Sequence, residues 1–171
     1  MKQPFFKYYL TEDVMKFSND FFTNKDGMLD KFISMWEKVA MFFLPEDNVI
    51  GYDIINEPSG ASIYKGAYEY FGPGMDNNKF LLPFYKKVSR ALRKIDQTKF
   101  LFFEPAVADL LGGFYDSPSE EPYKRLDVMS YHTYCPLTGE YGSTKCNLIN
   151  LKYTTGRHKN AKELKIGLSV T

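Results

Sequence analysis

Three short polar motifs in the sequence carry side chains suited to acid–base chemistry. Glu57 stands in Asn56-Glu57-Pro58 directly after an apolar run, Glu104 ends a second such run, and His132 follows a third. A carboxylic acid that is held rigidly beside a bond can donate a proton to the leaving atom as that bond breaks. The alternative interpretation of Glu57 is a solvated loop residue or a helix cap. For His132 the alternative is a hydrogen-bonded structural histidine.

The apolar runs before these motifs are typical of buried strands, and they alternate with helical patterns. Strands are predicted at 48–55, 100–103, 127–131 and 165–170. One amphipathic helix is predicted from Asp26 to Phe43, another from about Leu82 with Pro83 in its first turn, and a weaker one at 148–163. Residues 1–25 are predicted as loop plus short helix, and the Gly- and Pro-rich residues 58–78 as a long surface loop.

Alternating strands and helices predict an α/β fold with a parallel sheet. The polar motifs then lie at the carboxyl ends of the strands, where active sites sit in a (β/α)₈ barrel. Such a barrel needs about 250 residues, and this chain of 171 residues supplies four predicted strands. The pattern alone therefore leaves two architectures open, a small doubly wound sheet or part of a barrel.

Composition excludes several classes of protein. The formal net charge is +1, which gives no reason to expect nucleic acid or an acidic membrane surface as the main partner. No apolar run approaches the ~20 residues of a transmembrane helix. The 17% aromatic content fits a large core, a sugar-stacking cleft or a compositional bias. Cys135 and Cys146 show no zinc-site spacing, and they form either one local disulfide or two thiols.

The motifs taken together resemble glycoside hydrolase family 5, a family of retaining β-glycosidases with (β/α)₈ barrels. The run Gly-Tyr-Asp-Ile-Ile-Asn-Glu-Pro at 51–58 is similar to its fourth strand. Phe-Leu-Phe-Phe-Glu-Pro at 100–105 looks like strand five, and Ser-Tyr-His-Thr-Tyr-Cys-Pro at 130–136 looks like strand six. The combination is most similar to the endoglycoceramidase-related branch, whose members cleave the sugar–ceramide linkage of glycosphingolipids. The resemblance covers roughly residues 26–171.

The resemblance implies a role for each polar residue. Glu57 would be the general acid and then the general base, and Asn56 would hydrogen-bond the sugar 2-hydroxyl next to the scissile bond. Tyr134 would hydrogen-bond the nucleophile, and His132 would line the leaving-group side. Glu104 would either contact substrate or be a buried acid that orients its neighbours. No metal and no organic cofactor is implied, since two carboxylates suffice for this reaction.

The family's nucleophile is a Glu at the end of strand seven. Residues 166–171 look like that strand, so the nucleophile is expected directly after Thr171. We therefore expect residues 1–171 to be a partial family 5 catalytic domain with about strands four to seven. Residues 1–25 would lead into the helix before strand four. This fragment alone is expected to be inactive.

The expected substrate is a glycolipid or an oligosaccharide, with transient contact to a membrane surface. One alternative is a family 5 enzyme acting on another β-glucan or glucoside, and another is a non-catalytic sugar- or lipid-binding relic. A secreted or lysosome-like compartment is favoured, with the signal peptide missing from this fragment. In such an oxidising compartment, Cys135 and Cys146 are expected to pair.

Overall fold

The computed structural model describes residues 6–107, 109, 112–133 and 143–170. Its helices are α1 (Phe6–Tyr9), α2 (Glu12–Phe22), α3 (Met28–Phe43), α4 (Ala67–Phe71), α5 (Leu82–Arg93) and α6 (Thr144–Leu164). Its strands are β1 (Gly51–Asp53), β2 (Phe100–Phe103), β3 (Asp127–Tyr131) and β4 (Gly167–Val170). Short 3₁₀ turns lie at Lys25–Gly27 and Tyr123–Leu126, and a π-helical turn at Asn77–Leu81 leads into α5.

The strands in the described part of the chain form one sheet in the order β1-β2-β3-β4, and each neighbouring pair is parallel. Tyr52 lies opposite Leu101, and Ser130 lies opposite Ser169. The predicted parallel sheet is confirmed. Because the strands all run in one direction, their carboxyl ends meet at one edge, and the polar motifs that follow them are brought together there.

The two long amphipathic helices pack where their sequence patterns predict. Leu29 and Ala40 of α3 are buried, and Trp36 packs against the same core. Pro83 lies in the first turn of α5, as predicted, and the π-helical turn Asn77–Leu81 directly precedes that helix. Both helices are confirmed, and they cover the sheet on the side of the aromatic core.

Aromatic side chains build much of that core. Tyr85 of α5 packs edge-on against Phe84 and Phe103, with ring centroids 4.9 and 5.6 Å apart. Phe103 in turn contacts Phe114 at 5.2 Å. All four side chains are buried. The aromatic richness of the sequence is therefore used at least in part for packing between α5 and the sheet.

Two regions differ from the sequence-based expectation. Residues 58–78 are not simply a surface loop, since they include α4 and their Asp76 and Asn77 side chains are buried. Polar side chains supply the hydrogen bonds that a buried loop needs, which Gly- and Pro-rich composition does not reveal. Within residues 1–25 the helical part is longer than predicted, because α2 alone has 11 residues.

Cys146 lies in the first turn of α6 and is buried, whereas Cys135 lies outside the described residues. The pairing stays a prediction. We expect protein matured in an oxidising compartment to resist alkylation at both cysteines until it is reduced. By the chain-entropy estimate, a ring of this size stabilises the fold by about 2.5–3 kcal/mol. Mass spectrometry after alkylation without reductant measures the outcome, and two alkylated cysteines would contradict the pairing.

Candidate active site

Glu57 occupies an unusual backbone conformation in the loop that follows β1. Its φ is 43°, in the left-handed region that costs a non-glycine residue roughly 1 kcal/mol or more. The backbone N–H of Glu57 donates to Oε2 of Glu104 at 2.7 Å. The side chain of Glu57 keeps 27% of its surface exposed. A strained turn held by a buried carboxyl group is an arrangement found at functional sites.

His132, at the end of β3, contacts both Glu57 and Glu104, the residue at the end of β2. Its Nδ1 lies 2.9 Å from Oε1 of Glu57, and its Nε2 lies 3.3 Å from Oε1 of Glu104. The structure therefore brings Glu57, Glu104 and His132 into one cluster, although 75 residues separate the first from the last. This juxtaposition follows from the parallel sheet, because Glu104 and His132 come directly after β2 and β3 and Glu57 lies four residues after Asp53, the last residue of β1.

Glu104 is fixed from several sides. The Tyr85 hydroxyl donates to the backbone carbonyl of Glu104 and accepts from its backbone N–H, each at 3.0 Å. Only 3% of the Glu104 side chain is exposed. Burial raises the pKa of Glu104, an effect that the hydrogen bond from the Glu57 N–H partly opposes. This geometry favours the second interpretation of Glu104, a buried acid that orients its neighbours.

Asn56 and Glu57 line a cleft of about 380 Å³ whose other walls are largely apolar. Asn56 is exposed to solvent. The apolar lining comes from α1, α2, α4 and the loops after β1 and β2. It includes Tyr9, Val14, Phe17, Phe21, Phe22, Ile55, Tyr70 and Val107. The arrangement places a carboxyl group at the margin of an apolar cavity, where a polar bond and an apolar leaving group can be accommodated together.

Tyr134 lies outside the described residues, so its predicted role stays a prediction. Among the described residues, no group of three or more His, Cys, Asp and Glu side chains is arranged to hold a metal ion. The helices of the described ranges include none long and apolar enough to cross a bilayer.

Sequence reasoning did not single out a set of residues that holds the loops of the site in place. Asp76 accepts hydrogen bonds from the backbone N–H groups of Gly60 and Ala61, at 2.9 and 3.1 Å, and from the Ser59 hydroxyl at 2.6 Å. These three residues follow Asn56-Glu57-Pro58 in the loop after β1. Asp76 therefore anchors the chain segment that leaves the catalytic candidate.

Asn77 and Asn78 anchor the loop after β2 in the same way. Asn77 accepts from the Ala106 N–H at 2.6 Å and donates to Asp109 at 2.5 Å. Asn78 accepts from the Tyr115 N–H and donates to the Gly113 carbonyl, at 3.0 and 2.9 Å. We call Asp76, Asn77 and Asn78 the 76–78 clasp. The clasp ties the loop that follows Glu57 to the loop that follows Glu104.

The raised pKa of Glu104 gives a pH dependence with a definite sign. The folded state holds this proton more tightly than the unfolded state, so the contribution of Glu104 to stability is present at low pH. It is lost as the pH rises from about 4.5, the ordinary Glu value, through the folded pKa. We expect the unfolding free energy of the wild type, relative to Glu104→Gln, to fall over this range. Urea unfolding at a series of pH values measures it.

Glu46→Gln is the matched control for this measurement, because Glu46 is exposed after α3. The same measurement on Glu46→Gln gives the effect of removing a carboxyl group at an exposed site, against which the effect of Glu104→Gln is compared. A wild type that gains stability relative to Glu104→Gln as the pH rises would contradict the assignment of a raised pKa.

Comparison with known proteins gives one family match. The family description "Cellulase (glycosyl hydrolase family 5)" matches residues 11–170 of the chain. Two similar curated proteins are an endoglycoceramidase of Cyanea nozakii, 35% identical over 130 residues, and one of Hydra vulgaris, 34% identical over the same length. Each match covers 75% of this chain but only 26% and 25% of the relative.

Solved structures with the same fold include endo-glycoceramidase II from Rhodococcus sp. as a lactosyl-enzyme intermediate, with a TM-score of 0.74 and 18% identity. The same protein in a ganglioside GM3 complex gives a TM-score of 0.70 and 18% identity. In both, 99% of this chain aligns with 46% of the solved chain. The four-stranded parallel sheet with its helices therefore corresponds to part of a (β/α)₈ barrel.

Proposed function

The chain belongs to glycosyl hydrolase family 5, and on that premise we propose that it forms part of a retaining β-glycosidase in which Glu57 is the acid/base. The observation that carries the proposal is the placement of Glu57 on a strained turn after a barrel strand, in contact with His132 and beside an open cleft. A rigid, partly exposed carboxyl group in that position can reach a glycosidic oxygen.

In this mechanism Glu57 donates its proton to the glycosidic oxygen as the bond to the sugar breaks. A second carboxylate about 5–5.5 Å away forms the glycosyl-enzyme intermediate, and Glu57 then deprotonates the water that hydrolyses it. Asn56 would hydrogen-bond the 2-hydroxyl of the sugar, an interaction that strengthens in the transition state. The second carboxylate is expected from a residue following Thr171, and Tyr134 would hydrogen-bond it.

For the substrate we favour the sugar–ceramide linkage of a glycosphingolipid. Two relatives at about a third identity carry the name endoglycoceramidase. The cleft beside Glu57 has predominantly apolar walls, which suit a lipid leaving group better than a second sugar. Another β-glucan or glucoside is the second candidate, since the family description that matches the chain is that of cellulases.

A direct test expresses the longest reading frame that encodes this chain and offers it three substrates. These are a fluorescent glycosphingolipid, a cello-oligosaccharide and an aryl β-glucoside. We expect release of intact oligosaccharide from the glycosphingolipid at the highest kcat/KM of the three. Faster cleavage of the cello-oligosaccharide would favour the second candidate. Binding of sugar or lipid without turnover of any of the three would favour a non-catalytic protein.

Phe17 offers a test of the apolar wall itself. Phe17 is exposed and lines the cleft, so Phe17→Ser should raise KM for the glycosphingolipid and leave cleavage of a short aryl glucoside little changed. Exposed Phe42, on α3, is absent from the residues lining the cleft, and Phe42→Ser is the matched control. Equal effects of the two substitutions on both substrates would argue against a lipid in this cleft.

A further inference from the structure

His132 is the middle member of a row of three titratable side chains. Its Nδ1 faces Glu57 at 2.9 Å and its Nε2 faces Glu104 at 3.3 Å. Each contact becomes a hydrogen bond only when a proton lies between the two atoms. A neutral imidazole carries one proton, whereas the row has two contacts to satisfy. Both contacts are therefore satisfied only when a second proton is present.

Burial indicates where the second proton resides. The Glu104 side chain is 3% exposed and that of Glu57 is 27% exposed, so a negative charge is less costly on Glu57. The charges of Asp53 and Glu57 repel a negative charge on Glu104 and favour its protonated form, whereas a positive charge on His132 opposes it, so the proposed resting state has a neutral His132 ring. Oε2 of Glu104 accepts the Glu57 N–H, which leaves Oε1 for the contact with His132.

We propose that Glu104 stores the proton that Glu57 needs as an acid, and that His132 transfers it between them. In the resting state Oε1–H of Glu104 donates to Nε2 of His132, and Nδ1–H of His132 donates to the carboxylate of Glu57. The proton of Glu104 then moves to Nε2 while the proton on Nδ1 moves to Glu57. One O–H and one N–H bond break and one of each forms, so the net charge of the row stays at −1.

This inference rests on the proposed function for its premise that Glu57 acts as an acid. Entry of an apolar leaving group into the cleft would remove water from Glu57 and make its charge more costly. The proton would then move from the buried store to the carboxyl group that must donate it. Glu104 is in this scheme a positioning residue that acts through His132, because Glu104 itself is too buried to touch substrate.

The distribution of protons on the ring can be read without turnover. The sequence has two histidines, and the second, His158, is exposed on α6 and serves as an internal reference. In the full chain labelled with ¹⁵N-histidine, we expect the neutral His132 ring to carry its proton on Nδ1 wherever Glu104 is protonated. As the pH is raised until Glu104 ionises, that proton should move to Nε2 to bind the buried carboxylate. His158→Gln assigns the signals.

Glu104→Gln removes the proton that Glu104 can exchange but keeps the hydrogen-bond geometry of its side chain. The amide oxygen still accepts the Glu57 N–H and the amide nitrogen still donates to Nε2, but the side chain cannot ionise. The proton should then stay on Nδ1 at every pH at which the ring is neutral. A wild-type ring that is protonated on Nε2 throughout, or an unchanged pH response in Glu104→Gln, would overturn the proposal. If this variant does not fold, the wild-type titration decides.

Activity supplies an independent readout in the longest reading frame that encodes the chain. Glu104→Gln should lower kcat on substrates with poor leaving groups and leave KM unchanged. If the His132 ring shows the expected protonation but the protein cleaves no glycoside, the proposed function is refuted and the proton store is not. Glycosidase activity with the proton on Nε2 at all pH values would refute the proton store but not the proposed function.

Discussion

Glu57→Gln should lower kcat on a glycosphingolipid by about 10²–10⁴-fold, the usual contribution of a general acid. The glutamine amide keeps the size of the side chain but has no proton to give to the departing oxygen. An activated aryl β-glucoside has a leaving group that departs with little protonation, so the loss on that substrate should be far smaller. Steady-state rates of the wild type and the variant, both expressed from the longest reading frame that encodes the chain, measure the difference on the two substrates.

Two further measurements make this expectation sharp. Glu46→Gln removes an exposed carboxyl group after α3 and should leave both rates at the wild-type level. Added azide should raise the rate of Glu57→Gln on the aryl glucoside, because an external nucleophile replaces the water that Glu57 activates in the second step. An equal loss on both substrates would remove Glu57 from the acid role.

Asp76→Ala should destabilise the fold by about 3 kcal/mol. This is the largest loss of stability that we expect here from substituting one buried polar residue. The substitution leaves the buried N–H groups of Gly60 and Ala61 and the Ser59 hydroxyl without their acceptor. Each buried donor left without a partner costs about 1–3 kcal/mol, partly recovered where water enters. The unfolding free energy from urea denaturation measures the effect.

Asp76→Asn is the informative companion to this substitution. Its amide oxygen can accept both backbone N–H groups and its nitrogen can donate to the Ser59 oxygen, while the buried charge is removed. We expect it to stay within about 1 kcal/mol of the wild type. Asp47→Ala, at an exposed site, provides the baseline. A loss for Asp76→Ala no greater than that of Asp47→Ala would show that the clasp does not hold the loop.

The elements that follow local rules could be predicted from the sequence. The 3.6-residue spacing of Leu29, Trp36 and Ala40, and the Pro45 after the last turn, define α3. Short β-rich runs define the strands. Parallel order then brings Glu57, Glu104 and His132 to one edge, because each lies in the segment that follows the carboxyl end of a strand.

The contacts inside the site could not be predicted in the same way. The bond from the Glu57 N–H to Glu104 joins residues 47 apart, and the left-handed turn at Glu57 has no glycine to signal it. Asp76 and Asn77 follow no strand, and a polar residue in a Gly-rich segment is as typical of an exposed loop as of a buried one. Which distant N–H groups such residues accept is decided by packing, not by neighbouring sequence.

The 76–78 clasp also has a consequence for hydrogen exchange. The amides of Gly60, Ala61, Ala106 and Tyr115 belong to two loops far apart in sequence, yet each donates to a side chain on the same helical turn. Unwinding of that one turn would expose all four amides to solvent in a single opening event. The loops on either side of the catalytic candidate would thus exchange as one discontinuous cooperative unit, with a common opening free energy.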